Sequence, residues 1–290
     1  MPVNDELGKR MKEFYEQVPK TRLVRRAPVA IRIDGKAFHT FTRGFEKPFD
    51  EVLGRAMRET MKYLCENIQG CVLGYTQSDE ITLILIDYQT LNTSAWFDYE
   101  VQKMCSIAAS MATMAFNKFF ADEVIHFRKE KFYNTAGENQ YAVYLKAVEK
   151  GAMFDARCFN IPKEEVTNLI YWRQLDATRN SIQMVGQANF SHKELQNKSC
   201  NDIQEMLFQE RDINWNDFPT HLKRGSCCIK SEATTTCAKT VDGQVITWAA
   251  ERPHWEIDLE IPIFKEEGRQ YINKRILYEE QGRFECVNIN

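Results

Sequence analysis

The stretch of sequence that decides the fold is Val29-Ala30-Ile31-Arg32-Ile33-Asp34-Gly35-Lys36-Ala37-Phe38-His39. Apolar residues at positions 29, 31 and 33 alternate with the residues at positions 30, 32 and 34, which is the period of a β-strand with two unlike faces. The strand ends in Asp34, whose side chain can point into a cleft. Gly35 follows, and its missing side chain allows another group to come close to the backbone.

A second stretch supplies a partner for Asp34. The residues Gly74-Tyr75-Thr76-Gln77-Ser78-Asp79-Glu80 lie inside an apolar run that predicts two strands joined by a tight turn at residues 77–80. Asp-Gly and Ser-Asp-Glu are ordinary turn sequences, so each alone is more often structural than catalytic. Both carboxylates, however, end strands that would be central in one sheet. We therefore predict that Asp34 and Asp79 meet across the sheet.

Two neighbouring carboxylates repel each other unless a cation is present. Mg²⁺ binds a few protein carboxylates together with substrate phosphates, and two such ions can hold the attacking and leaving oxygens of a phosphoryl or nucleotidyl transfer. We predict that Asp34 and Asp79 hold divalent metal, with the Gly35 carbonyl as a further ligand. Glu80 is either another ligand or a solvated turn residue.

The same region offers groups that can hold a triphosphate. Backbone N–H groups after Gly35 can form an anion-binding nest, and His39, Lys47 and Lys103 are candidate side-chain contacts. Neither a P-loop motif nor a G-x-G-x-x-G motif is present, so neither of those nucleotide-binding classes is indicated.

The composition is that of an ordinary globular protein. The 290 residues are 43% hydrophobic and 27% charged, and the net charge of −3 argues against a global polyanion-binding surface. No window has the roughly 20 apolar residues of a membrane span, and the charged first residues are unlike a secretory signal, so no membrane association is expected. Nine scattered cysteines predict reduced thiols in the cytosol and no structural zinc.

Hydrophobic periodicity predicts an α+β fold. A strand at 29–34 is followed by a helix from an Asp50 cap to residue 67, strands at 71–76 and 81–86, a helix at 94–120 and a strand at 154–161. This β-α-β-β-α-β order is that of the ferredoxin-like split arrangement.

Further elements surround this unit. We predict a helix at 4–18, a loop at 40–49, an extra strand at 141–148 and a helix at 163–187. Two helix caps follow at Ser191 and Ser199, then a strand at 225–230 and a hairpin turn at Asp242-Gly243.

Five motifs, in the same order along the chain, resemble the tRNA-His guanylyltransferase family between about residue 5 and residue 232. The first two are the stretches 31–39 and 74–80, which are specific in combination. Three further segments support them: Tyr171-Trp172-Arg173-Gln174, Phe154-Asp155-Ala156-Arg157 and Lys223-Arg224-Gly225.

The resemblance implies a palm-like catalytic domain that adds nucleotides to a tRNA 5′ end in the 3′-to-5′ direction. It implies two Mg²⁺ ions held by Asp34, the Gly35 carbonyl and Asp79, with the two aspartates as the catalytic residues. ATP adenylylates a 5′-monophosphate, and the 3′-hydroxyl of the incoming GTP or other nucleoside triphosphate then attacks the activated phosphate and releases AMP. A 5′-triphosphate end needs no activation and releases pyrophosphate.

Two sets of binding residues are predicted beside the metal ligands. The residues expected at the nucleotide are Gly35, Lys36, Ala37, Phe38, His39, Lys47, Asp50, Ser78 and Lys103. The residues expected to bind RNA are the basic ones of two patches and two on a helix: Arg22, Arg25, Arg26, Arg128, Lys129, Lys131, Arg179 and Asn180. Either basic patch alone could equally be a solvated face.

One segment departs from the eukaryotic members of that family. They carry a His-Ile-Asn-Asn-Leu-Tyr-Asn run shortly after Trp-Arg-Gln, where this chain has residues 178–184, with only Asn180 identical. Glu100 also stands where a basic residue is expected. These differences favour the Thg-like branch of bacteria and archaea, which repairs 5′-truncated tRNA against a template strand.

The chain is therefore divided into a palm-like catalytic domain at 1–162, a helical block with a strand at 163–232, and an extension at 233–290 for which we find no counterpart. The expected partners are tRNA and nucleoside triphosphates, and the expected assembly is a cytoplasmic homotetramer. Three alternatives stay open: guanosine addition to tRNA-His, another palm-type cyclase or polymerase, and a non-enzymatic RNA-binding protein.

Overall fold

Six antiparallel strands form one sheet at the centre of the protein. The computed structural model describes residues 5–131, 135–241 and 244–277, and it describes side chains within these ranges except at 130–131, 135 and 232–252. The strands are β1 Val29–Gly35, β2 Cys71–Gln77, β3 Glu80–Leu85, β4 Phe154–Asn160, β5 Ser226–Val241 and β6 Gln244–Asp258. Their order across the sheet is β4-β1-β3-β2-β5-β6. The first four strands have the predicted split arrangement, and the α+β class is confirmed.

The described helices are α1 Glu6–Met11, α2 Phe38–Phe41, α3 Glu51–Asn67, α4 Val101–Lys131, α5 Thr135–Lys150, α6 Lys163–Asn189, α7 His192–Leu195, α8 Cys200–Arg211, α9 Thr220–Arg224 and α10 Gln270–Ile276. Asp50 caps α3 as predicted, because its side chain accepts a hydrogen bond from the backbone N–H of Leu53. The two serine caps are also confirmed as capping boxes, at α7 and α8. None of the helices in the described ranges is both long and apolar enough to span a membrane.

The two faces of β1 belong to different cores, as its alternating sequence predicts. Ile31 and Ile33 are fully buried on the face that α3 and α4 cover. Ala30 is buried on the other face, together with Val166 and Ile170 of α6. Toward the end of the strand this second face is less completely covered, and Arg32 and Asp34 remain partly exposed there.

The predicted strand at 141–148 is wrong, because these residues lie in α5. Tyr144 and Ala147 are buried three residues apart, which is a helical spacing. The Tyr144 ring packs edge-on against Phe45 and Phe127, with centroids 5.1 Å apart in both pairs.

Other boundaries also differ from the sequence prediction, and the strand expected at 225–230 continues to Val241 as β5. The helix expected at 94–120 begins only at Val101 and continues to Lys131, since Phe97 and the two residues after it have positive φ. The N-terminal helix changes to π-helical geometry over Lys12–Glu16. The expected loop at 40–49 overlaps the short helix α2. The turn residues Asp242 and Gly243 lie outside the described residues, although Val241 pairs with Gln244.

The C-terminal part of the chain, to which the sequence analysis assigned no role, builds part of the second core. Ile261, Phe264 and Ile272 are almost completely buried there. Gln174 of α6 holds this segment, because its Nε2 donates to the Pro262 carbonyl at 2.8 Å and its Oε1 accepts from the Phe264 N–H at 3.0 Å.

Replacing Gln174 with alanine is expected to lower the free energy of unfolding by about 2 kcal/mol or more, because two buried backbone groups lose their partners. Urea unfolding followed by circular dichroism measures this change. The control is Gln209→Ala, which removes an exposed side chain that bonds only to Glu205 in α8 and should change the free energy by less than about 0.5 kcal/mol. Equal effects of the two substitutions would contradict the role given to Gln174.

Candidate active site

The two predicted carboxylates lie at the same edge of the sheet. Asp34 is near the end of β1, and Asp79 belongs to the two-residue turn that joins β2 to β3, where Gln77 pairs with Glu80. The backbone N–H of Gly35 donates to the Asp79 carbonyl at 3.1 Å, so the turn is fastened to the end of β1. Ser78 in this turn has a positive φ of 52°, an uncommon conformation for a non-glycine residue.

The ionised forms of both carboxylates are destabilised. Burial raises the pKa of Asp79, and the charges of Asp34 and Glu80 raise it further, against the Ser78 hydroxyl bond that lowers it. Burial likewise raises the pKa of Asp34, with the charges of Glu80 and Asp155 adding to the effect. A bound cation would relieve both penalties, so the donor chemistry suits a divalent metal.

Within the described part of the chain, no three His, Cys, Asp or Glu side chains come together as a metal-holding group. The described residues thus offer two carboxylates at this edge rather than a larger group of ligands. This arrangement suits Mg²⁺, which usually completes its octahedral coordination with water and substrate phosphates.

Glu80 has a different environment from the two aspartates. Its side chain is buried, and Oε1 accepts a hydrogen bond from Arg32 Nε at 3.0 Å while Oε2 accepts one from Arg173 Nη2 at 2.6 Å. Both of its oxygens are therefore engaged by arginines from β1 and α6. This geometry favours a role in fixing the site over a role as metal ligand.

Gly35 is required by the aromatic residue that follows it. A Cβ atom at this position would lie 2.2 Å from the Phe38 ring, so no other residue fits without a shift. The Phe38 ring in turn packs against Phe116 and Phe154, with centroids 5.5 and 5.1 Å away. The close approach inferred from the sequence is thus made by the protein's own core, which fixes the turn into α2.

A cleft of about 500 Å³ opens beside the carboxylates. Most of the predicted nucleotide residues line it together with Asp79, namely Gly35, Ala37, Phe38, His39, Lys47, Asp50 and Ser78. Lys47 and His39 are exposed and can reach a ligand in it. The volume is in the range of small-molecule sites.

The Asp50 side chain stabilises the wall of this cleft through hydrogen bonds. Its carboxylate accepts from the N–H groups of Leu53 and Glu46, both at 2.9 Å, and from the Tyr144 hydroxyl at 2.7 Å. These bonds join the loop after α2 to α3 and α5. The hydroxyl bond and burial together raise the pKa of Tyr144 far above its ordinary value.

Two predicted nucleotide residues are not brought to the cleft. Lys36 is exposed outside its lining, and its N–H donates to the Met153 carbonyl at 2.8 Å. Lys103 lies near the start of α4 with its Nζ 4.7 Å from the centroid of the Phe97 ring. Nearby, Glu100 faces Lys20 at 3.8 Å, so the unexpected acidic residue has a basic neighbour.

The predicted RNA-binding residues fall in three places. Arg22 and Arg25 form ion pairs with Asp98 and Asp87, and Arg26 donates to the Thr90 carbonyl. Arg128 stacks over the Tyr141 ring beside the exposed Lys129, while the side chain of Lys131 is outside the described part. Arg179 pairs with Asp176 on α6.

Asn180 lines a smaller cavity of about 120 Å³ next to the cleft. Ser78, Asp50 and Met184 line both spaces, and His221 of α9 lines the smaller one. Burial lowers the pKa of His221, which favours the neutral imidazole. The segment that departs from the eukaryotic run therefore lies against the site.

The sequence analysis missed a charged array on the open sheet face. Asp155 and Arg157 of β4 lie opposite Asp34 and Arg32 in the antiparallel register, and they pair with each other at 3.1 Å. Arg173 joins this face through Glu80. Segments 154–157 and 171–174 had drawn attention only as family-like motifs, and the antiparallel pairing of β1 with β4 was the signal that could have placed Asp155 and Arg157 beside Asp34 and Arg32.

The split β-α-β-β-α-β sheet and the paired carboxylates beside a cleft are the arrangement expected of a metal-dependent nucleotidyltransferase. The comparison with protein families then identifies the group. Residues 8–162 match the model of the family described as "Thg1: tRNAHis guanylyltransferase", and the chain belongs to this family. The family is a tRNA guanylyltransferase family, and its members are nucleotidyltransferases.

Relatives and solved structures agree with this assignment. An uncharacterised protein of Acanthamoeba polyphaga mimivirus is 30% identical over 84% of this chain and 83% of its own length. The tRNA(His) guanylyltransferase of Saccharomyces cerevisiae is 26% identical over 68% of this chain and 80% of its own length.

A bacterial tRNA(His) guanylyltransferase (Thg1)-like protein, solved in complex with ATP, superposes with a TM-score of 0.74 at 38% identity, covering 94% of this chain and 100% of the other. The complex of such a protein with GTP gives 0.72 at 37% identity, covering 94% of this chain and 99% of the other. Coverage of 94% extends past residue 232. The expectation that the last part of the chain has no counterpart is therefore wrong.

Removing the charge of Asp79 should stabilise the metal-free protein. Because the folded-state pKa of this carboxyl is raised above its ordinary 3.8, the ionised form costs stability near neutral pH, and the cost disappears as pH falls through the raised pKa. Asp79→Asn should therefore increase the free energy of unfolding by about 0.5–2 kcal/mol at pH 7, which is the usual size of a single stabilising substitution.

The measurement is urea unfolding in EDTA at pH 7 and at pH 4, where the gain should shrink. Added Mg²⁺ should stabilise the parent protein more than the variant. The control is Asp122→Asn, at an exposed position on α4. An Asp79→Asn variant that is less stable than the parent at pH 7 would refute the electrostatic argument.

Proposed function

We propose that this protein is a metal-dependent nucleotidyltransferase that adds nucleotides to tRNA 5′ ends in the 3′-to-5′ direction and repairs 5′-truncated tRNA against a template strand. The observation that carries the proposal is the pair Asp34 and Asp79, two half-buried carboxylates with raised pKa at the edge of a cleft. Membership of a tRNA guanylyltransferase family supplies the substrate class.

In this proposal Asp34, Asp79 and the Gly35 carbonyl hold two Mg²⁺ ions. Bound Mg²⁺ would neutralise charge on the transferring phosphoryl group and lower the cost of forming the attacking oxyanion. The two carboxylates supply the negative charge that would bind the ions. The hydrogen bond from the Gly35 N–H to the Asp79 carbonyl holds the turn that carries Asp79 at the end of β1. Glu80, held by its two arginines, keeps the sheet edge in place beneath them.

The cleft residues have positioning roles for the nucleoside triphosphate. His39 and Lys47 are placed to neutralise phosphate oxygens, and the backbone around Ala37 follows Gly35 in a left-handed turn with φ of 53° that can present N–H groups. The bonds of Asp50 hold the wall that carries Lys47. For Lys36 and Lys103 a contact with the nucleotide remains a prediction that requires movement toward the cleft.

The reaction proceeds in two transfers. A 5′-monophosphate oxygen of the RNA attacks the α-phosphorus of ATP, and pyrophosphate leaves. The 3′-hydroxyl of the incoming GTP or other nucleotide then attacks the 5′ phosphorus, its proton is lost, and AMP leaves. On a 5′-triphosphate end the same attack releases pyrophosphate directly.

Repair of truncated tRNA is favoured over guanosine addition to tRNA-His by the segment at 178–184. Its side chains line the smaller cavity next to Ser78, where Asn180, Ser181 and Met184 contribute to the wall. The bacterial Thg1-like structures match this chain at 38% identity, whereas the Saccharomyces cerevisiae enzyme structure matches at 25% with a TM-score of 0.57. These likenesses support the repair branch.

The proposal includes tRNA and nucleoside triphosphates as partners, a cytoplasmic location and a homotetramer. Met114 and Ile125 on α4 are 56% and 52% exposed, so this helix has apolar surface for contact between copies. The division at residues 162 and 232 is kept as the proposed domain boundary, with the last segment packed onto the second core.

Substituting Asp79 with alanine is expected to reduce nucleotide addition more than about 100-fold. Loss of a residue that only hydrogen-bonds to a metal ligand costs about 10- to 100-fold, and loss of the ligand itself should cost more. The assay follows addition of labelled nucleotide to a 5′-truncated tRNA in Mg²⁺. Asp34→Ala should behave in the same way, and Asp122→Ala should keep parental activity. Retained activity in the folded Asp79→Ala protein would overturn the assignment.

Direction and substrate are tested with RNA of defined ends. A 5′-truncated tRNA and a tRNA-His that lacks only its extra guanosine are incubated with each nucleoside triphosphate, each RNA carrying a 5′-monophosphate or a 5′-triphosphate. We expect growth at the 5′ end, ATP dependence only for the monophosphate, and addition of the nucleotide complementary to the opposite strand. Growth at the 3′ end would indicate a conventional polymerase, and addition only of guanosine to tRNA-His would favour the alternative substrate.

A further inference from the structure

An exposed tryptophan lies on the open face of the sheet. Trp172 of α6 keeps 52% of its surface accessible, whereas Trp96 and Trp215 are 7% exposed. Tryptophan side chains that remain half exposed on a protein surface are characteristic of binding sites, because the ring gives a large rigid contact area.

Two arginine side chains pack against the Trp172 ring and hold its orientation. The Arg32 Cζ lies 5.3 Å and the Arg173 Cζ lies 4.4 Å from the ring centroid. Both guanidinium groups are held by Glu80, at 3.0 and 2.6 Å. The indole therefore rests on cations that are themselves anchored, and little conformational freedom would be lost when a ligand stacks on it.

The ring is close to the proposed reaction centre. Arg32 precedes Asp34 by two residues on the same strand face, a separation of about 7 Å along a strand. Arg157 lies directly opposite Arg32 in the register of β1 and β4. An RNA duplex whose 5′ phosphate lies at Asp34 would thus bring the unpaired template bases at its end toward Trp172.

The surroundings of the ring suit a polyanion. The side chains of Arg157 and Arg179 are 58% and 60% exposed. Arg157 pairs with the equally exposed Asp155, which a phosphate group can replace because surface ion pairs contribute little. Arg179 pairs with Asp176, which Arg173 also binds. Trp172 does not line the 500 Å³ cleft expected to hold the nucleoside triphosphate. The base that it would contact accordingly belongs to the RNA.

We propose that Trp172 is a stacking platform for an unpaired base at the end of the RNA substrate. This inference rests on the proposed function and names the part of the substrate that this face recognises. Aromatic stacking tolerates any base, which fits an enzyme that handles ends of different sequence.

The test compares two RNA hairpins that differ only in whether the end carries a 3′ overhang of unpaired template bases or is blunt. Binding is measured by fluorescence anisotropy in EDTA, so that no catalysis is needed. Trp172→Ala should weaken binding of the overhang hairpin about tenfold, as expected for loss of one stacked base, and should leave the blunt hairpin within twofold. Trp172→Phe should restore most of the affinity because it keeps an aromatic face.

The matched control is Phe208→Ala, which removes a 55% exposed aromatic ring from α8 and should affect neither hairpin. In steady-state assays, Trp172→Ala should raise KM for the RNA while KM for the nucleotide stays within twofold. Equal weakening of both hairpins, an unchanged overhang hairpin, or a rise only in the nucleotide KM would each overturn the proposal.

Failure of the proposed function is distinguishable from failure of this inference. A parent protein that binds the overhang hairpin through Trp172 but elongates no RNA would refute only the catalytic proposal. If the Trp172→Ala variant elongates RNA as well as the parent protein does, only the platform proposal is refuted.

Discussion

The buried ion pair between Glu80 and Arg173 is the interaction on which the site depends. It joins the start of β3 to the middle of α6, and Arg32 of β1 binds the second oxygen of the same carboxylate. Breaking such a buried pair by removing one partner costs about 3–5 kcal/mol, because the remaining charge is left without compensation. The carboxylates at the sheet edge are held in place by this contact, since Asp79 directly precedes Glu80 and Asp34 lies two residues after Arg32 on the same face of β1.

The four carboxylates on this face of the sheet fall into two groups. Among the described residues, Glu80 and Asp155 form ion pairs with arginines, whereas Asp34 and Asp79 do not. Burial next to like charges raises the pKa of both. The structure therefore stores unfavourable electrostatic energy at the two residues that are expected to hold metal, which is a usual arrangement at catalytic sites.

Local patterns in the sequence were sufficient for the central strands and for the two carboxylates. The alternation in β1 and the short turn at Ser78-Asp79 depend only on neighbouring residues. The error at 141–148 arose because Tyr141 and Tyr144, spaced three apart, fit a helix as well as an apolar strand. The partners of Arg173 and Gln174 lie 93, 88 and 90 residues away along the chain. No local pattern could predict such contacts. The Glu80–Arg173 ion pair, the Gln174 hydrogen bonds, the charged array and the position of Trp172 therefore emerged only from the fold.

Consecutive residues of α6 connect parts of the molecule that are synthesised at very different times. Arg173 reaches back to Glu80, which leaves the ribosome 93 residues earlier, and Gln174 reaches forward to Pro262 and Phe264, which leave it 88 and 90 residues later. Because chains fold progressively from the N-terminus during synthesis, the helix can bind the sheet before its other side is covered. The catalytic face would then acquire its final rigidity only after residues 262–264 have emerged and their backbone groups have bonded to Gln174.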